Sequence, residues 1–432
     1  MVDSMKYGLL MHGPTTNLGD DIQSYAISQF LPHIDYLIDR EKINSFKSEN
    51  GEPVATVMAA WWMWNKWNWP PSKYIYPHFV GFHYSDNDKA KQAGCPVDYL
   101  FLTGIGGKDG YLKEYGPVGC RDYFTRDKLR EVGVDAEFSG CITLTLPQQK
   151  KIEKKNRYIC LVDVAPKVEK KVREMVKGTD IEIKCITHDI DQKVNQKRTW
   201  EERSKNVEDV LTIYQNAECV ITRRLHCALP CLAMGVPTLL VIHTLESIRF
   251  IPYYDWLYCC KPNDFVSGKY KYDILNPPKN KTEHMQTREN LIASVKKFVD
   301  EAGQIQKSAD EINRMPYSED EIAVWRNQMM KRTAEIWEEN TKSDVDEKKK
   351  LFKQYMDLEI KSLRDRKQKI AKQQKEMKRN SLVKRNDSQE FATQSVEKQN
   401  QVLEKDMRTY LNDMRTNYKE IKQLQDNIKK LT

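Results

Sequence analysis

Two arginines and a histidine lie within four residues of each other, at Arg223, Arg224 and His226. Guanidinium groups bind carboxylates and phosphates through paired hydrogen bonds, and an imidazole can exchange a proton near neutral pH. A group of this composition suits an anionic substrate and acid–base chemistry. The alternative is that both arginines are solvated surface charges and that the histidine belongs to the core.

The run that contains this group, residues 219–242 (CVITRRLHCALPCLAMGVPTLLVI), predicts a strand, a turn, a helix and a second strand. Its first four residues have strand character, about nine helix-compatible residues follow the arginines, and Gly235 ends them before a β-rich segment. This order is typical of a βαβ unit in a parallel sheet. Because ligands bind beyond the carboxyl ends of such strands, the two arginines and the imidazole are predicted to lie at a ligand-binding edge.

Arg121 follows a strand predicted over residues 117–120, in the same position relative to its strand as Arg224 in the later unit. Two arginines at strand ends would form a two-sided clamp for a small dianion. The alternative is an ordinary surface pairing of Arg121 with Asp122 or Asp127.

Two adjacent carboxylates, Asp20 and Asp21, follow the first predicted strand, residues 6–11. We expect one of them to cap a helix over residues 22–31. A bare phosphate site is disfavoured here, because the carboxylates themselves take up the positive end of the helix dipole. The functional alternative is that one carboxylate binds a substrate hydroxyl or removes its proton.

A tryptophan-rich run, WWMWNKWNWPP, begins at Trp61 and includes Trp62 and Trp64. The density of aromatic residues and the two closing prolines predict a structured loop. Flat aromatic rings suit the apolar faces of a ring-shaped ligand, and tryptophan also fills irregular cores. Both interpretations stay open from the sequence.

Three blocks in this order resemble the polysaccharide pyruvyltransferase family: NLGDDIQSYA at residues 17–26, the GCRD run that begins at Gly119 with the later SGCITLTLP, and ITRRLHCALPCLAMGVPTLLV. Together they span about the first 250 residues and are more specific than any one of them alone. Arg223 departs from the family pattern, in which a small residue commonly precedes the arginine. The family's role is therefore carried over to Arg224 and His226, and Arg223 stays an open candidate.

The resemblance implies transfer of a pyruvyl group from phosphoenolpyruvate to hydroxyls of a sugar, giving a cyclic ketal in an exopolysaccharide, a capsule or a glycan precursor. It needs no metal and no cofactor beyond phosphoenolpyruvate as co-substrate. The expected donor-binding residues are Arg121, Arg224, His226 and Arg223. The expected catalytic residues are His226, Asp20 and Asp21. The expected acceptor-binding residues are Asn17, Asp20, Trp61, Trp62 and Trp64.

The predicted fold class is α/β, with two Rossmann-like parallel-sheet domains that face a cleft, as in the glycosyltransferase-B-like fold that the family shares. The predicted divisions are 1–148, 157–310 with the TRRLH signature, a packed helix at 311–340, and a helical tail at 341–432. Within them we expect strands at 79–83 and 141–146, a helix that Asp122 caps and that runs to about residue 132, and a helix over 207–216. Two other functions stay open: a sugar-nucleotide glycosyltransferase of the same fold, and a non-catalytic scaffold that recognises glycans and assembles through a coiled coil.

The tail carries the net positive charge of the 432-residue chain, which is +8. Residues 341–432 contain 24 Lys and Arg against 15 Asp and Glu, whereas the first 340 residues contain 46 against 47. This distribution argues against a nucleic-acid-binding globular part. Apolar residues that recur every seven positions between 403 and 431 predict self-association or binding of a partner helix through 396–431. Contact of the basic tail with an anionic membrane surface is the rival interpretation.

The ten cysteines lie between Cys95 and Cys260 and form no paired CxxC motif, which favours reduced thiols over a metal site. The first residues lack the apolar region of a secretory signal, and no run reaches the ~20 apolar residues of a membrane helix. We therefore expect a cytoplasmic protein, with the inner face of a membrane as the place where a basic tail would bind.

Overall fold

The computed structural model describes residues 5–13, 15–62, 69–84, 110–150 and 156–315, together with the single positions 321, 368, 371 and 372. Trp61 and Trp62 are described by their backbone alone. The chain divides into two compact units, Met1–Glu339 and Asn340–Thr432. The elements below all belong to the first unit. Of the segment 311–340, in which a packed helix is predicted, only residues 311–315 and 321 are described, and the heptads of the tail lie outside the described residues.

The first half contains a parallel sheet of four strands in the order β2–β1–β3–β5. The same half also contains two parallel pairs of strands, β4 with β6 and β7 with β8. The strands are β1 (Lys6–Met11), β2 (Tyr36–Asp39), β3 (Val54–Val57), β4 (Trp61–Trp62), β5 (Ile75–His78), β6 (His83–Tyr84), β7 (Val118–Cys120) and β8 (Ala136–Phe138). Buried residues occupy all four positions of β3, as expected for a strand covered on both faces.

The second half contains a parallel sheet of five strands in the order β10–β9–β11–β12–β13. The strands are β9 (Arg157–Val162), β10 (Ile181–Ile186), β11 (Val220–Thr222), β12 (Thr238–Val241) and β13 (Tyr258–Cys260). The predicted α/β class with parallel sheets is therefore confirmed.

Helices alternate with these strands, which is the arrangement that parallel connections require. In the first half they are α1 (Leu18–Ser28), α2 (Tyr111–Glu114) and α3 (Tyr123–Glu131), with 3₁₀ turns at Arg40–Ser45 and Ile142–Thr145. In the second half they are α4 (Pro166–Met175), α5 (Gln192–Asn195), α6 (Trp200–Gln215), α7 (Leu225–Met234), α8 (Pro262–Val266), α9 (Met285–Ala302) and α10 (Ala309–Ile312), with a 3₁₀ turn at Ile251–Tyr253. No described helix is long and apolar enough to cross a lipid bilayer.

Two helices begin earlier than the sequence predicts. The cap of α1 is Asn17, whose side chain accepts from the Gly19 amide, so the expected cap by Asp20 or Asp21 is wrong. Helix α6, predicted to begin at residue 207, begins at Trp200 because Thr199 and Glu202 form a capping box. In both cases the first turn of the helix is polar, so the sequence has no apolar periodicity there from which the start of the helix could be predicted.

Two expected strands also differ in the structure. Of the run 79–83, only His83 belongs to a strand, and residues 142–145, where a strand was expected, form a 3₁₀ turn. The side chains of that turn are buried, so an apolar run that suits a strand serves a turn packed on three helices, α1, α7 and α9.

One hydrophobic core joins the two halves of the first unit. It contains Leu9 and Ile22 from the first half together with Val162, Val220 and Cys227 from the second, each with no exposed surface. Burial of apolar side chains from both halves in one cluster fixes the halves against each other. The strand ends of the two sheets are thereby held at fixed positions relative to each other.

Candidate functional site

The three blocks singled out in the sequence meet at one side chain, His226, in the first turn of α7. A Cβ atom on Gly19 would lie 2.8 Å from the Nδ1 atom of His226, so only glycine allows the imidazole to pack against α1. On the other side, Nη1 of Arg121 lies 3.5 Å from Nε2 of the imidazole. Residues about 100 and 200 positions apart therefore form one contact group.

The turn before α7 is built by local hydrogen bonds at the end of β11. The Thr222 hydroxyl accepts from the Arg224 amide at 2.9 Å and donates to the Val162 carbonyl at 3.2 Å. Gly235, with φ of +74°, ends the helix in the left-handed conformation that glycine tolerates. The strand, helix and glycine stop of this unit lie where the sequence predicts them.

Arg224 is held by two carboxylates from the second sheet. Its Nε atom donates to Asp163 at 2.7 Å, and its Nη2 atom donates to Asp189 at 2.5 Å. Asp163 is 7% exposed, whereas Asp189 is 69% exposed. The neighbouring Arg223 is exposed. Of the two adjacent arginines, Arg224 is therefore the one oriented by a buried carboxylate, that of Asp163.

Arg121 is buried, with 2% of its surface exposed, so it is not a surface charge. Its backbone is fixed by the Tyr253 hydroxyl, which donates to the Arg121 carbonyl at 2.6 Å. The described contacts do not include the surface pairing of Arg121 with Asp122 or Asp127 that the sequence leaves open. Asp127 accepts from Arg126, and Asp122 binds His83 and caps α3 through the Thr125 amide.

The adjacent carboxylates of α1 have different surroundings. Asp21 is buried and forms an ion pair with Arg203 of α6, and the Asn195 amide donates to it at 3.4 Å. Asp20 is half-buried and accepts from the Thr15 hydroxyl at 2.6 Å. Asp21 therefore serves the packing of α1 on α6, and Asp20 is the carboxylate whose charge acts on His226.

The start of α1 is joined to the second half by backbone hydrogen bonds. The Leu18 amide donates to the His188 carbonyl at 2.8 Å, and the Ile190 amide donates to the Thr16 carbonyl at 2.8 Å. Asn17, expected to bind the acceptor, uses its side-chain oxygen to cap the helix at the Gly19 amide, 3.1 Å away. This pairing places the first block beside the loop that carries Asp189.

Burial and neighbouring charges set the protonation states. Burial and the positive charge of Arg121 hold the pKa of His226 well below its ordinary value, and Asp20 opposes this shift. Burial alone would raise the pKa of Asp20, but charges that include Arg40 and the hydrogen bond from Thr15 lower it below its ordinary value. In the ligand-free protein His226 is thus neutral and Asp20 is ionised near pH 7.

Arg249, which follows β12, belongs to the same electrostatic group. Burial, together with the positive charges of Arg121 and Arg224, lowers its pKa to about 10, and the negative charge of Asp20 opposes this shift. The charges of Arg121 and Arg224 therefore both act on Arg249, and those of Arg121 and Arg249 act on His226. Such a concentration of positive charge suits a small ligand with more than one negative group.

Several residues of the site were missed in the sequence. Asp163 directly follows β9 and His12 directly follows β1, so their positions after strand ends are the signal that could have found them. Burial, with Arg40 as the next contribution, lowers the pKa of His12 to about 3. The pairing of His83 with Asp122 has no local signal in the sequence, because only the tertiary contact between β6 and the start of α3 brings the two residues together.

The side chains of the tryptophans expected to bind the acceptor are not among those that the structure describes. Trp61 and Trp62 form the short strand β4, and Trp64 lies outside the described residues. Trp69, at the end of the same run, is 1% exposed and packs edge-on against Tyr111. This last tryptophan belongs to the core. In the described ranges no cluster of three or more His, Cys, Asp or Glu side chains could hold a metal ion.

Comparison with solved structures finds several that have low similarity to this chain. An uncharacterized protein from Klebsiella pneumoniae has a TM-score of 0.31 at 11% identity, over 60% of this chain and 92% of that one. The S. aureus MnaA–UDP structure has a TM-score of 0.31 at 10% identity, over 69% and 94%. The lipopolysaccharide outer core galactosyltransferase WaaB has a TM-score of 0.24 at 11% identity, over 69% and 99%. TM-scores of this size support no functional argument.

No curated protein matches the sequence. The family model that matches is that of polysaccharide pyruvyl transferase, over residues 109–244. This segment contains Arg121, Arg224 and His226, which the structure brings into one site. The resemblance that the motifs predict is therefore confirmed over residues 109–244, the segment that matches the model of the polysaccharide pyruvyl transferase family.

Proposed function

We propose that the protein transfers the pyruvyl group of phosphoenolpyruvate to two hydroxyls of a sugar, forming a cyclic ketal and releasing phosphate. The observation that carries this proposal is the meeting of Gly19, Arg121 and His226, one from each sequence block, at a site with several guanidinium groups. The family match over residues 109–244 supports the reaction class.

The donor carries a carboxylate and a phosphate on the same carbon, and guanidinium groups match both in bidentate geometry. Arg121 and Arg249 would bind from the buried side. Arg224 would keep its contact with the buried Asp163 and exchange the contact with Asp189, because Asp189 is 69% exposed and such pairs contribute little.

His226 would change its charge when the donor binds. The imidazole is neutral in the free protein, since burial and Arg121 lower its pKa. A bound dianion opposes both effects, so the imidazole would take up a proton on binding. The protonated imidazole can then supply the proton that the methylene carbon of the donor needs.

Asp20 would act on the acceptor. After protonation of the methylene carbon, the first sugar hydroxyl adds to the adjacent carbon and gives its proton to Asp20. The second hydroxyl then displaces phosphate, which leaves with the remaining proton, so that atoms and charges balance. Asp20 is a better candidate than Asp21, because the carboxylate of Asp21 is engaged by Arg203 in the core.

Binding by the full chain tests the proposal. Phosphoenolpyruvate and a panel of sugar nucleotides are titrated in thermal-shift and calorimetric experiments with the parent protein, Arg224→Ala and Arg121→Ala. Phosphoenolpyruvate at 100 times its dissociation constant should stabilise the parent by about 2.7 kcal/mol. Both variants should lose this shift. Arg223→Ala is the matched control and should keep it, because Arg223 is exposed.

Calorimetry in buffers of different ionisation enthalpy adds a second readout. The proposal expects uptake of close to one proton when phosphoenolpyruvate binds near pH 7.5, and this uptake should vanish in His226→Gln. Stabilisation by a sugar nucleotide alone would instead indicate glycosyl transfer. A parent protein that responds to neither ligand would contradict both enzyme functions and favour a glycan-recognising scaffold.

A further inference from the structure

The second parallel sheet reverses the direction of its connections at β9, and Asp163 directly follows that strand. From β9 the chain crosses to β10 on one side, and the later strand β11 pairs with β9 on the other side. In parallel sheets ligands bind in the crevice at such a reversal, beyond the carboxyl ends of the strands. Arg224 closely follows β11. Asp163 and Arg224 therefore come from the two strands that border this crevice.

Asp163 has a backbone conformation that is rare for a residue with a side chain. Its φ is +52°, and among the described residues no other residue except glycine has a positive φ. Aspartate tolerates this left-handed region better than most residues, but at a cost in free energy. The Asp163 amide donates to the Ile186 carbonyl at 3.2 Å, which holds the chain in this conformation. Strained residues of this kind cluster at functional sites, which singles out the Asp163 side chain.

One oxygen of the Asp163 carboxylate, Oδ2, joins two segments of the chain. It accepts from Nε of Arg224 at 2.7 Å and from the His188 amide at 3.0 Å. The His188 carbonyl in turn accepts from the Leu18 amide at 2.8 Å, and Leu18 is the first residue of α1. Hydrogen bonds therefore connect the Arg224 guanidinium, through this one oxygen, to the first turn of α1.

The carboxylate of Asp163 is ionised and has 7% of its side chain exposed. Burial would raise its pKa, but hydrogen bonds from the His188 amide, the Thr187 hydroxyl and Arg224 lower the pKa below its ordinary value. Hydrogen bonds to an ionised group are about twice as strong as neutral ones. Asp189, the other carboxylate on Arg224, is 69% exposed, and exposed pairs contribute little. Asp163 is therefore the stronger of the two partners.

We propose that Asp163 is a positioning residue with two simultaneous tasks: it orients the Arg224 guanidinium for the anionic donor, and through His188 it holds the start of α1 beside His226. Loss of the carboxylate should therefore weaken donor binding and loosen the first turn of α1 together. Loss of the Arg224 side chain should weaken donor binding alone. The inference rests on the proposed function in one respect, namely that the donor is phosphoenolpyruvate.

Four variants of the full chain test the inference. Asp163→Gly removes the carboxylate, and glycine adopts the same left-handed backbone without a steric penalty. Asp163→Asn is the conservative variant, because its amide oxygen can accept both hydrogen bonds. Arg224→Ala removes the guanidinium alone. Asp180→Gly is the matched control, because it removes a carboxylate that is 72% exposed and pairs with Arg157, the first residue of β9.

Calorimetry of phosphoenolpyruvate binding tests the first task. Asp163→Gly should raise the dissociation constant about ten- to a hundredfold, the range for a hydrogen bond to a charged group. Asp163→Asn should stay within about threefold of the parent, because both hydrogen bonds persist. Asp180→Gly should stay within about twofold, since it breaks an exposed pair. Parent-like binding by Asp163→Gly, or an equal loss in Asp180→Gly, would overturn the inference.

Hydrogen exchange of the ligand-free protein tests the second task, with mass spectrometry of the peptide that contains the Leu18 amide. Asp163→Gly should speed exchange of this amide at least about tenfold, whereas Asp163→Asn, Arg224→Ala and Asp180→Gly should change it less than about threefold. Exchange in β12 should not change in any variant. Unchanged exchange of Leu18 in Asp163→Gly, or equal acceleration in β12, would overturn the inference, since the latter indicates a general loss of stability.

The exchange experiment needs no ligand, so it separates this inference from the proposed function. If Asp163→Gly loosens the start of α1 but the parent binds no phosphoenolpyruvate, the positioning role stands and the proposed donor is wrong. Should Asp163→Gly fail to fold, nuclear magnetic resonance of the arginine Nε protons in the parent replaces it. An Arg224 proton that exchanges at least about tenfold more slowly than that of the exposed Arg223 supports the inference, and equal rates overturn it.

Discussion

Acidification should destabilise this protein well before its carboxylates titrate, because several histidines are buried in the neutral form. His12, His83, His188 and His226 have at most 7% of their surface exposed. Burial is the first cause of a lowered pKa in each, to about 3 for His12, to about 4 for His83 and His188, and well below the ordinary value for His226.

The size of the effect follows from the difference between the folded and unfolded states. An unfolded histidine has a pKa of about 6.5, so at pH 5.5 it is about 90% protonated while the buried one stays neutral. Each such histidine lowers the free energy of unfolding by about 1.4 kcal/mol at pH 5.5. Four of them lower it by about 5.6 kcal/mol. This is a large part of the ~5–15 kcal/mol by which a typical protein is stable.

The sign follows from the same linkage. This contribution to stability is complete above pH ~6.5 and is lost as the pH falls toward the folded-state values. Urea unfolding followed by tryptophan fluorescence between pH 7.5 and pH 5.5 measures it. His188→Gln should lose about a quarter of the pH dependence. Glutamine can still bond the Tyr214 hydroxyl, which lies 2.8 Å from His188. His33→Gln is the control at an exposed site, with 61% of the side chain accessible.

Two results would refute the reasoning. One is a urea midpoint that does not change between pH 7.5 and pH 5.5, because buried neutral imidazoles must then be absent or compensated. The other is a His188→Gln variant with the full pH dependence of the parent, which would show that this imidazole titrates normally in the folded state. A pH dependence that disappears in His33→Gln would assign the effect to the surface.

Two further pairs of substitutions separate catalysis from structure. Asp21→Asn should lower the free energy of unfolding by about 3–5 kcal/mol, because it leaves the buried Arg203 without its ion pair, as urea unfolding would show. Asp20→Asn should instead lower kcat about 10²- to 10⁴-fold with little change in stability, and a reversed order in this pair would contradict the assignment. Gly19→Ala should abolish donor binding in calorimetry, since its Cβ would lie within 3 Å of the His226 ring. Gly178→Ala, which meets no neighbouring atom but has φ of +85°, should cost about 1 kcal/mol of stability and leave binding intact, so equal binding losses in both variants would be evidence against the Gly19 contact.

Local patterns predicted the elements whose causes are local. The strand, helix and glycine stop around His226 were predictable because β-rich residues, a helix-compatible run and a left-handed glycine occur in sequence order. The cap of α3 by Asp122 was predicted for the same reason and is confirmed. The starts of α1 and α6 were not predicted, because Asn17 and Thr199 act through capping bonds in turns that have no apolar period.

The candidate site shows the same division. The amino-acid sequence alone determined the candidate residues, since Arg121, Arg224, His226 and Asp20 stand in motifs that follow predicted strands. Only the tertiary structure decided that Asp21 pairs with Arg203 while Asp20 stands near His226. It also decided that His83 binds Asp122. The physical reason is that a side chain's type fixes what it can bind, but its partner, its burial and hence its charge depend on which distant segments pack against it.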